Sequence, residues 1–212
     1  MIIKQTLNAI AYENTYYLVN DQAVLVIDPG SDTETIIETL KAIHKPVAAI
    51  LLTHTHYDHI MSVDELRRTF NHPPVYVSKE ERTWLGSPVD NLSGLPRHDD
   101  MADVIIQDAD EYFTIGQDYH LSGFDFSVRK TPGHSIGGVS FVFPKDEVVF
   151  SGDTLFNNSI GRVDLPTGDL ETLLSSIKTE LFTLPNHYKV YPGHGKQTTI
   201  GHEKHFNPFF IS

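Results

Sequence analysis

The chain contains no cysteine among its 212 residues. This absence excludes disulfide bonds, and it also excludes thiolates as ligands of a metal ion. Basic residues are scarce, because 16 Lys and Arg stand against 28 Asp and Glu and give a net charge of −12. Nucleic-acid binding depends on clustered basic side chains that contact phosphates. The composition therefore argues against a large nucleic-acid interface.

Long apolar segments are also missing. No segment approaches the roughly 18 apolar residues of a membrane-spanning helix. The N-terminal MIIKQTLNAIAYENTYY has neither the apolar stretch nor the small-residue cleavage site of a signal peptide. Apolar residues still make up 40% of the chain, which is enough for a substantial core. The sequence predicts a soluble cytoplasmic protein with no membrane partner, and it leaves the oligomeric state open.

Histidine is concentrated in the segment LLTHTHYDHI, residues 51–60. This segment contains His54, His56, Asp58 and His59 within six positions. Neutral imidazole is the commonest side-chain ligand of transition metals. The apolar PVAAILLT precedes the motif, so a predicted strand ends where these side chains begin. Because one ion cannot easily take four ligands from so short a loop, the motif favours two ions.

Three later motifs share one pattern, in which an apolar strand is followed by a turn former and then by a possible metal ligand. TPGHS contains His134, SGDTLF contains Asp153 and YPGHG contains His194. The two carboxylate oxygens of Asp153 could bridge two ions about 3.5–4 Å apart. A single turn histidine is more often a polar surface or core residue, so the interpretation depends on the motifs together.

Two parts of the chain share the order strand, helix, strand. The first runs from AVLVIDPG to AAILLTH, and the second from EVVFSGD to YKVYPGH. Helical periodicity predicts the helices at 31–44 and 169–184. Further strands are predicted at DVIIQ, EYFTI, FDFSVRKT and GVSFVFP. The repeated order predicts two similar halves, with Asp28, His54, Asp153 and His194 near a sheet edge.

In their order and spacing, THTHYDH, TPGHS, GDTLF and YPGHG resemble the motifs of the metallo-β-lactamase superfamily. The resemblance covers nearly the whole chain. It implies an α+β fold, the αββα sandwich of this superfamily, formed by a single domain over residues 1–212. It does not select one reaction, because the superfamily contains many.

The resemblance also implies a role for each possible ligand. The seven implied metal ligands are His54, His56 and His134 for the first ion, Asp58, His59 and His194 for the second, and Asp153 between them. Zinc is the expected ion, with iron and manganese as alternatives. A hydroxide bridging the two ions would be the nucleophile, and Asp58 would be the catalytic residue that orients it. Asp28 is predicted to support a ligand histidine from behind.

Within the superfamily, the sequence is similar to the glyoxalase II branch, the hydroxyacylglutathione hydrolases. Members that hydrolyse β-lactams usually lack an aspartate at the position of Asp153, and many have cysteine there. GDTLFNNSIGRVDLPTGD is similar to the GDTLF…GR.DLPGGD segment of short bacterial glyoxalase II-like proteins, and IGHEKHFNPFF resembles their C-terminal segment. The implied substrate is a small-molecule thioester such as S-D-lactoylglutathione. Its thiolate leaving group, with a pKa near 8.5, needs little help from a general acid.

Two features depart from that branch. The first motif continues as DHIMS where DHxGG is usual, so Ile60, Met61 and Ser62 alter the start of the following helix. The longer glyoxalase II proteins carry an additional C-terminal helical domain with basic contacts to glutathione, and this sequence reaches Ser212 without a comparable segment. The sequence therefore does not identify the acyl group or the thiol carrier of the substrate.

Three residues are predicted to contact the substrate: Arg162, Phe156 and Tyr191. Arg162, in SIGRVD, lies where the family has a basic substrate contact, and a surface arginine is the alternative. The two aromatic residues flank ligand motifs, although aromatic residues in such places are more often part of the core.

Other functions are compatible with the same motifs. An iron-dependent persulfide dioxygenase shares much of this ligand set but uses one iron, and a lactonase is also possible. A tRNA-processing nuclease is disfavoured by the acidic composition. A non-catalytic metal-binding module is the alternative outside enzymes, and the presence of all seven ligand residues argues against it.

Overall fold

The computed structural model describes residues 1–98 and 100–211, which divide into two compact units. Unit 1 comprises Met1–Phe113 and Leu121–Phe124, and unit 2 comprises Thr114–His120 and the chain from Asp125 onward. Helices accompany a mixed sheet in each unit, which confirms the predicted α+β class. The prediction of a single domain stays a prediction. Among the described residues, no helix has the length and apolar character needed to cross a membrane.

Unit 1 is built on a six-stranded sheet whose strands follow chain order. The strands are β1 (Ile2–Leu7), β2 (Asn14–Val19), β3 (Val24–Ile27), β4 (Val47–Leu51), β5 (Val75–Val77) and β6 (Glu111–Tyr112). β1, β2 and β3 pair antiparallel, whereas β3 to β6 pair parallel. Of the parallel strands, β3, β4 and β5 are short and almost wholly apolar, as expected for strands that are covered on their faces, whereas both residues of the edge strand β6 are exposed.

Two helices pack against this sheet, α1 (Thr33–Ile43) and α2 (Val63–Thr69). Ile36 and Leu40 of α1 and Leu66 of α2 are buried in one core cluster with side chains of β3, β4 and β5. Their helical spacing places them on one face of each helix. α1 ends at Ile43, and the cap residue His44 that follows has a left-handed φ of 56°, which stops the helix.

The second six-stranded sheet lies mainly in unit 2 and has the order β14-β13-β10-β9-β8-β7. Its strands are β7 (Asp118–Leu121), β8 (Phe124–Lys130), β9 (Val139–Phe143), β10 (Val148–Gly152), β13 (Lys189–Pro192) and β14 (Thr198–Thr199). A separate two-stranded hairpin is formed by β11 (Leu155–Phe156) and β12 (Ser159–Ile160). β10 and β13 are parallel neighbours, and the other pairs described in this sheet are antiparallel.

The helices of unit 2 are α3 (Leu170–Ser176), which continues as a π-helical turn over Ile177–Leu181, and α4 (Ile200–Phe206). Leu173, Ile177 and Leu181 share a buried cluster with Val149 and Val190 of the sheet. The helix predicted over 169–184 is therefore present, although its second half has wider turns.

The predicted strand DVIIQ is wrong. Residues 103–107 form no strand, and Ile105 is exposed. The backbone N–H of Ile106 bonds to the Leu85 carbonyl oxygen, and that of Gln107 faces the Asp64 carboxylate. Val104 and Ile106 are buried in the core cluster of unit 1 although the segment pairs with no strand.

Parallel strand pairing positions the possible metal ligands in each unit. Asp28 follows β3 and His54 follows β4, so both side chains lie at the carboxyl edge of one sheet. Asp153 follows β10 and His194 follows β13 in the same way. The predicted repeat of strand, helix and strand is thus confirmed within each unit.

Candidate metal centre

The three histidines of the first motif are buried and lie together in unit 1. The ring centroids of His54 and His56 are 4.6 Å apart, and those of His54 and His59 are 4.1 Å apart. A short 3-10 turn over Tyr57–His59 follows the extended His56 and reverses the chain, so that the His59 ring lies beside that of His54. Asp58 is also buried, with Oδ2 3.8 Å from Nε2 of His59. The loop therefore concentrates imidazole and carboxylate donors at one place.

Asp28 supports the loop over residues 53–59, as predicted. Because this loop carries the predicted ligands His54, His56, Asp58 and His59, we call it the ligand loop. Its Oδ1 accepts the Thr53 N–H at 2.8 Å, and its Oδ2 accepts the Thr53 hydroxyl at 2.6 Å. The same Oδ2 lies 3.0 Å from Nδ1 of His59. A histidine whose Nδ1 bonds to a carboxylate presents Nε2 to a metal.

Asp28, His54 and His59 also form a group whose ligand atoms lie within 4.8 Å of one another. We assign no ion to this group. Asp28 faces Nδ1 of His59 and is engaged by Thr53, whose hydroxyl lies 3.1 Å from Nδ1 of His54. The Nε2 atoms of both histidines are buried as well. The carboxylate therefore orients the His59 ring directly and the His54 ring through Thr53.

A second buried carboxylate, Glu81, supports the same loop and was not predicted. Its Oε2 accepts the backbone N–H of Thr55 at 2.8 Å and the Thr55 hydroxyl at 2.9 Å. Thr55 lies between His54 and His56, so Glu81 fixes the backbone that carries both histidines. Glu81 occurs in the polar run SKEER, which is typical of a solvated surface, and nothing in that run indicates burial.

Glu13 is a third carboxylate that the sequence analysis missed. It is fully buried, its Oε1 lies 3.9 Å from Nδ1 of His59, and its Oε2 accepts a hydrogen bond from Asn8 at 2.6 Å. A Cβ at Gly30 would overlap this carboxylate. The glycine of the IDPG turn is therefore required for the close approach of Glu13.

The unusual DHIMS continuation lies in the interior of unit 1. Ile60 is buried in the core cluster, and Met61 packs against it. The Ser62 hydroxyl bonds to the Gly30 carbonyl oxygen at 2.5 Å and lies 2.7 Å from the Thr33 hydroxyl. Ser62 therefore ties the start of α2 to the turn before α1.

In unit 2, Asp153 stands between two of the predicted ligand histidines. Its Oδ2 is 3.4 Å from Nε2 of His134 and 3.4 Å from Nε2 of His194. His134 Nδ1 lies 2.8 Å from the carbonyl oxygen of Arg162, so this nitrogen carries the hydrogen and Nε2 faces the carboxylate. An oxygen placed between two imidazole nitrogens suits a ligand that bridges two ions.

The donor sets fit the divalent ions that the fold family implies. Imidazole nitrogens and carboxylate oxygens are ligands of zinc, iron and manganese. In unit 1 the Nε2 atoms of the three predicted ligand histidines are buried, and in unit 2 so is Oδ1 of Asp153. The assignment of all seven residues to two shared ions stays a prediction.

The predicted substrate residues differ in their surroundings. The Arg162 guanidinium is exposed and bonds to the Asp164 carboxylate at 2.7 and 2.6 Å. The Phe156 ring stands edge-on to His194 with centroids 6.0 Å apart. Tyr191 is 7% exposed, stacks on Phe150, and has a phenol pKa raised by burial. Phe156 is therefore beside a predicted ligand, whereas Tyr191 lies in the core; substrate contact by any of them stays a prediction.

Comparison with known proteins identifies the family. The model of the metallo-β-lactamase superfamily matches residues 11–194. A probable metallo-hydrolase of Streptococcus pyogenes is 62% identical over 210 residues, which cover 99% of this chain and 90% of that protein. The hydroxyacylglutathione hydrolase GloC of Haemophilus influenzae is 35% identical, over 91% of this chain and 90% of that protein.

Solved structures agree with the predicted fold. The crystal structure of the B3 metallo-β-lactamase BLEG-1 has a TM-score of 0.93 and 42% identity, with 100% of both chains covered. The protein TTHA1623, solved in a di-iron-bound form, has a TM-score of 0.86 and 34% identity, covering 97% of this chain and 99% of that one. The chain is therefore a metallo-hydrolase that belongs to the metallo-β-lactamase superfamily.

Proposed function

We propose that this protein is a dinuclear metal-dependent hydrolase that cleaves a small-molecule thioester such as S-D-lactoylglutathione. The observation that carries the proposal is the position of Asp153, whose Oδ2 lies 3.4 Å from Nε2 of both His134 and His194. The similarity to a hydroxyacylglutathione hydrolase at 35% identity supports the thioester as substrate.

The proposed ions are divalent and are held by the seven residues named from the sequence. Zinc is our first choice, and the di-iron-bound form of TTHA1623 makes iron the main alternative. When bound, the ions would polarise the substrate carbonyl and lower the pKa of the attacking water. The buried carboxylates Asp28 and Glu81 orient the loop that binds them.

Asp58 is the proposed catalytic residue. Its carboxylate lies beside Nε2 of His59, and an ionised carboxylate accepts hydrogen bonds without donating any. It can therefore orient the attacking water and hold its proton. The thiol that corresponds to the leaving thiolate has a pKa near 8.5, so the thiolate departs without a dedicated general acid.

Arg162 is the proposed contact for an anionic group of the substrate. Its exposed guanidinium already donates two hydrogen bonds to one carboxylate, that of Asp164. A planar guanidinium binds carboxylates in two-point geometry, so a substrate carboxylate could exchange with Asp164. Phe156, whose ring stands against His194, is the proposed apolar contact.

Hydrolysis of β-lactams is the second candidate function. The 42% identity to the B3 metallo-β-lactamase BLEG-1 favours it and weakens the argument that Asp153 in a cysteine-free chain disfavours this reaction. Both reactions add water to a carbonyl carbon, and they differ in the leaving group, which is a thiolate in one and an amine nitrogen in the other. An amine needs a proton as it leaves, whereas a thiolate does not.

The test is a comparison of three substrates on one protein sample. Turnover of S-D-lactoylglutathione, of a chromogenic cephalosporin and of glutathione persulfide with oxygen uptake would be measured for the wild type, Asp153→Asn and Asp118→Asn. Asp118 is an exposed aspartate on β7 and serves as the matched control. The proposal expects thioester hydrolysis that Asp153→Asn reduces by roughly 100-fold or more and Asp118→Asn leaves unchanged.

Other outcomes would overturn the proposal in defined ways. Cephalosporin turnover without thioester turnover would establish the second candidate. Oxygen uptake on glutathione persulfide would establish the dioxygenase. Equal rates of thioester hydrolysis in Asp153→Asn and the wild type would show that Asp153 has no role in the reaction.

A further inference from the structure

The short hairpin formed by β11 and β12, residues 155–160, is called here the site hairpin. It has only two residue pairs, Leu155 with Ile160 and Phe156 with Ser159. A two-stranded hairpin of this size is not stable by itself. The site hairpin begins two residues after Asp153, and the carbonyl oxygen of Arg162, beyond the second strand, accepts the hydrogen bond of His134. Its position therefore matters for the ligand residues of unit 2, and other parts of unit 2 must fix it.

Glu203 on α4 provides the main attachment. Its side chain is fully buried, and Oε2 accepts the backbone N–H of Asn158, at the tip of the site hairpin, at 3.0 Å. Oε1 accepts the Thr198 hydroxyl at 2.5 Å, and Oε2 also accepts the Asn207 amide at 2.8 Å. A buried carboxylate costs free energy unless hydrogen bonds satisfy it, and these three donors supply them.

Neighbours of Glu203 attach the same hairpin at three further points. The Asn207 amide also donates to the Ser159 carbonyl oxygen at 3.0 Å. His202 Nε2 lies 2.8 Å from Oδ1 of Asn158, and the Asn157 amide donates to the Gln197 carbonyl oxygen at 3.2 Å. α4 and the residues around it therefore contact every residue from 157 to 159.

α4 is itself well anchored in unit 2. Its cap residue Thr199 accepts the N–H of His202, and Ile200 is fully buried in the core cluster with Leu181 and Val190. The attachment thus runs from a fixed core, through Glu203, to the tip of the site hairpin. Next to the tip of the hairpin, the Phe156 ring stands edge-on to His194.

We propose that Glu203 is a positioning residue for substrate binding. By holding the site hairpin, it keeps the Phe156 ring against His194 and so shapes the apolar contact that the substrate meets. This inference rests on the proposed function for its substrate. The placement of the hairpin by Glu203 can be tested without any turnover.

The first measurement is hydrogen exchange of the zinc-loaded protein. Glu203→Met keeps the approximate length of the side chain but removes both acceptor oxygens. We expect amides of residues 155–160 to exchange about tenfold faster or more in this variant, while β9 and β10 exchange as in the wild type. The nuclear Overhauser contact between the Phe156 and His194 rings should weaken. Glu171→Met, at an exposed glutamate on α3, is the matched control.

The second measurement is a double-mutant cycle on KM, using whichever substrate the wild type hydrolyses. Phe156→Leu removes the ring contact without touching the attachment to α4. If Glu203 acts through Phe156, each single variant raises KM roughly tenfold with little change in kcat, and the double variant raises it no further. Metal content should stay at the wild-type level in all three variants.

Defined results would overturn the inference. Unchanged exchange in the site hairpin would show that Glu203 does not hold it. Faster exchange throughout unit 2 would show a general loss of stability, and additive effects on KM would show that Glu203 does not act through Phe156. If the wild type hydrolyses none of the substrates, the proposed function fails, while the exchange and ring-contact results still decide whether Glu203 positions the hairpin.

Discussion

At the scale of single residues, the ligand loop of unit 1 depends on buried carboxylates that do not themselves need to bind metal. Glu81 accepts both the backbone N–H and the hydroxyl of Thr55. Glu81→Ala leaves these two buried donors without an acceptor, so we expect the free energy of unfolding to fall by about 2–4 kcal/mol. Chemical denaturation of the metal-free protein measures this change directly.

The control for Glu81 is its exposed neighbour, Glu80→Ala, which should change stability little. Glu81→Gln should recover part of the loss, because its carbonyl oxygen can still accept from Thr55. Equal stability of Glu81→Ala and the wild type would contradict the role given to Glu81.

Asp28 offers a test of ligand orientation. Asp28→Asn keeps the shape of the side chain but removes the charge that faces Nδ1 of His59. Loss of such a partner typically reduces metal affinity by roughly 10–100-fold, and we expect a fall of that size. Titration with zinc in competition with a chromogenic chelator measures it. The exposed Asp21→Asn is the control, and equal affinities for Asp28→Asn and the wild type would refute the orienting role.

The sequence predicted the possible ligands but not most of the residues that hold them. His54, His56 and Asp58 stand close together in the chain, so their pattern is visible without a fold. Glu81 acts on a residue 26 positions away. Glu203 acts on a residue 45 positions away. Such pairs form only when strands and helices pack together, so no local sequence pattern predicts them.

At the scale of elements, the repeated strand, helix and strand could be predicted because buried parallel strands are short continuous apolar runs. The site hairpin could not be predicted in this way, because its strands have two residues each and its stability comes from α4. The segment 103–107 was wrongly predicted as a strand for a related reason: its middle residues are apolar, yet its backbone bonds to a loop.

Gly161 closes the site hairpin against the strand end that carries Asp153. A Cβ at this position would overlap the carbonyl oxygen of Asp153 and press on Cβ of His134. We expect Gly161→Ala to cost about 1–3 kcal/mol of stability and to weaken metal binding, because the backbone at Asp153 must shift. Thermal unfolding with and without zinc measures both effects.

The control for Gly161 is Gly86→Ala, because a Cβ at Gly86 meets only ordinary van der Waals contact. This variant should unfold and bind zinc as the wild type does. Normal zinc binding by Gly161→Ala would show that the backbone at Asp153 tolerates the shift.

At the scale of the whole molecule, metal binding should stabilise the fold, since the ligands come together only in the folded chain. Free zinc at 100 times its dissociation constant adds about 2.7 kcal/mol per site, which corresponds to a rise in Tm of roughly 5–10 °C. Removal of both ions by a chelator should lower Tm by about twice this amount, and added zinc should restore it. A Tm that does not respond to chelation would indicate that the folded chain holds no ion.

The measurement that tests the central claim most directly is the number of metal ions bound per chain, determined by elemental analysis for the wild type and Asp153→Ala. Because Asp153 stands between His134 and His194, the account predicts two ions per chain in the wild type and fewer than two in the variant. One ion per chain in the wild type, or an unchanged ratio in Asp153→Ala, would contradict it.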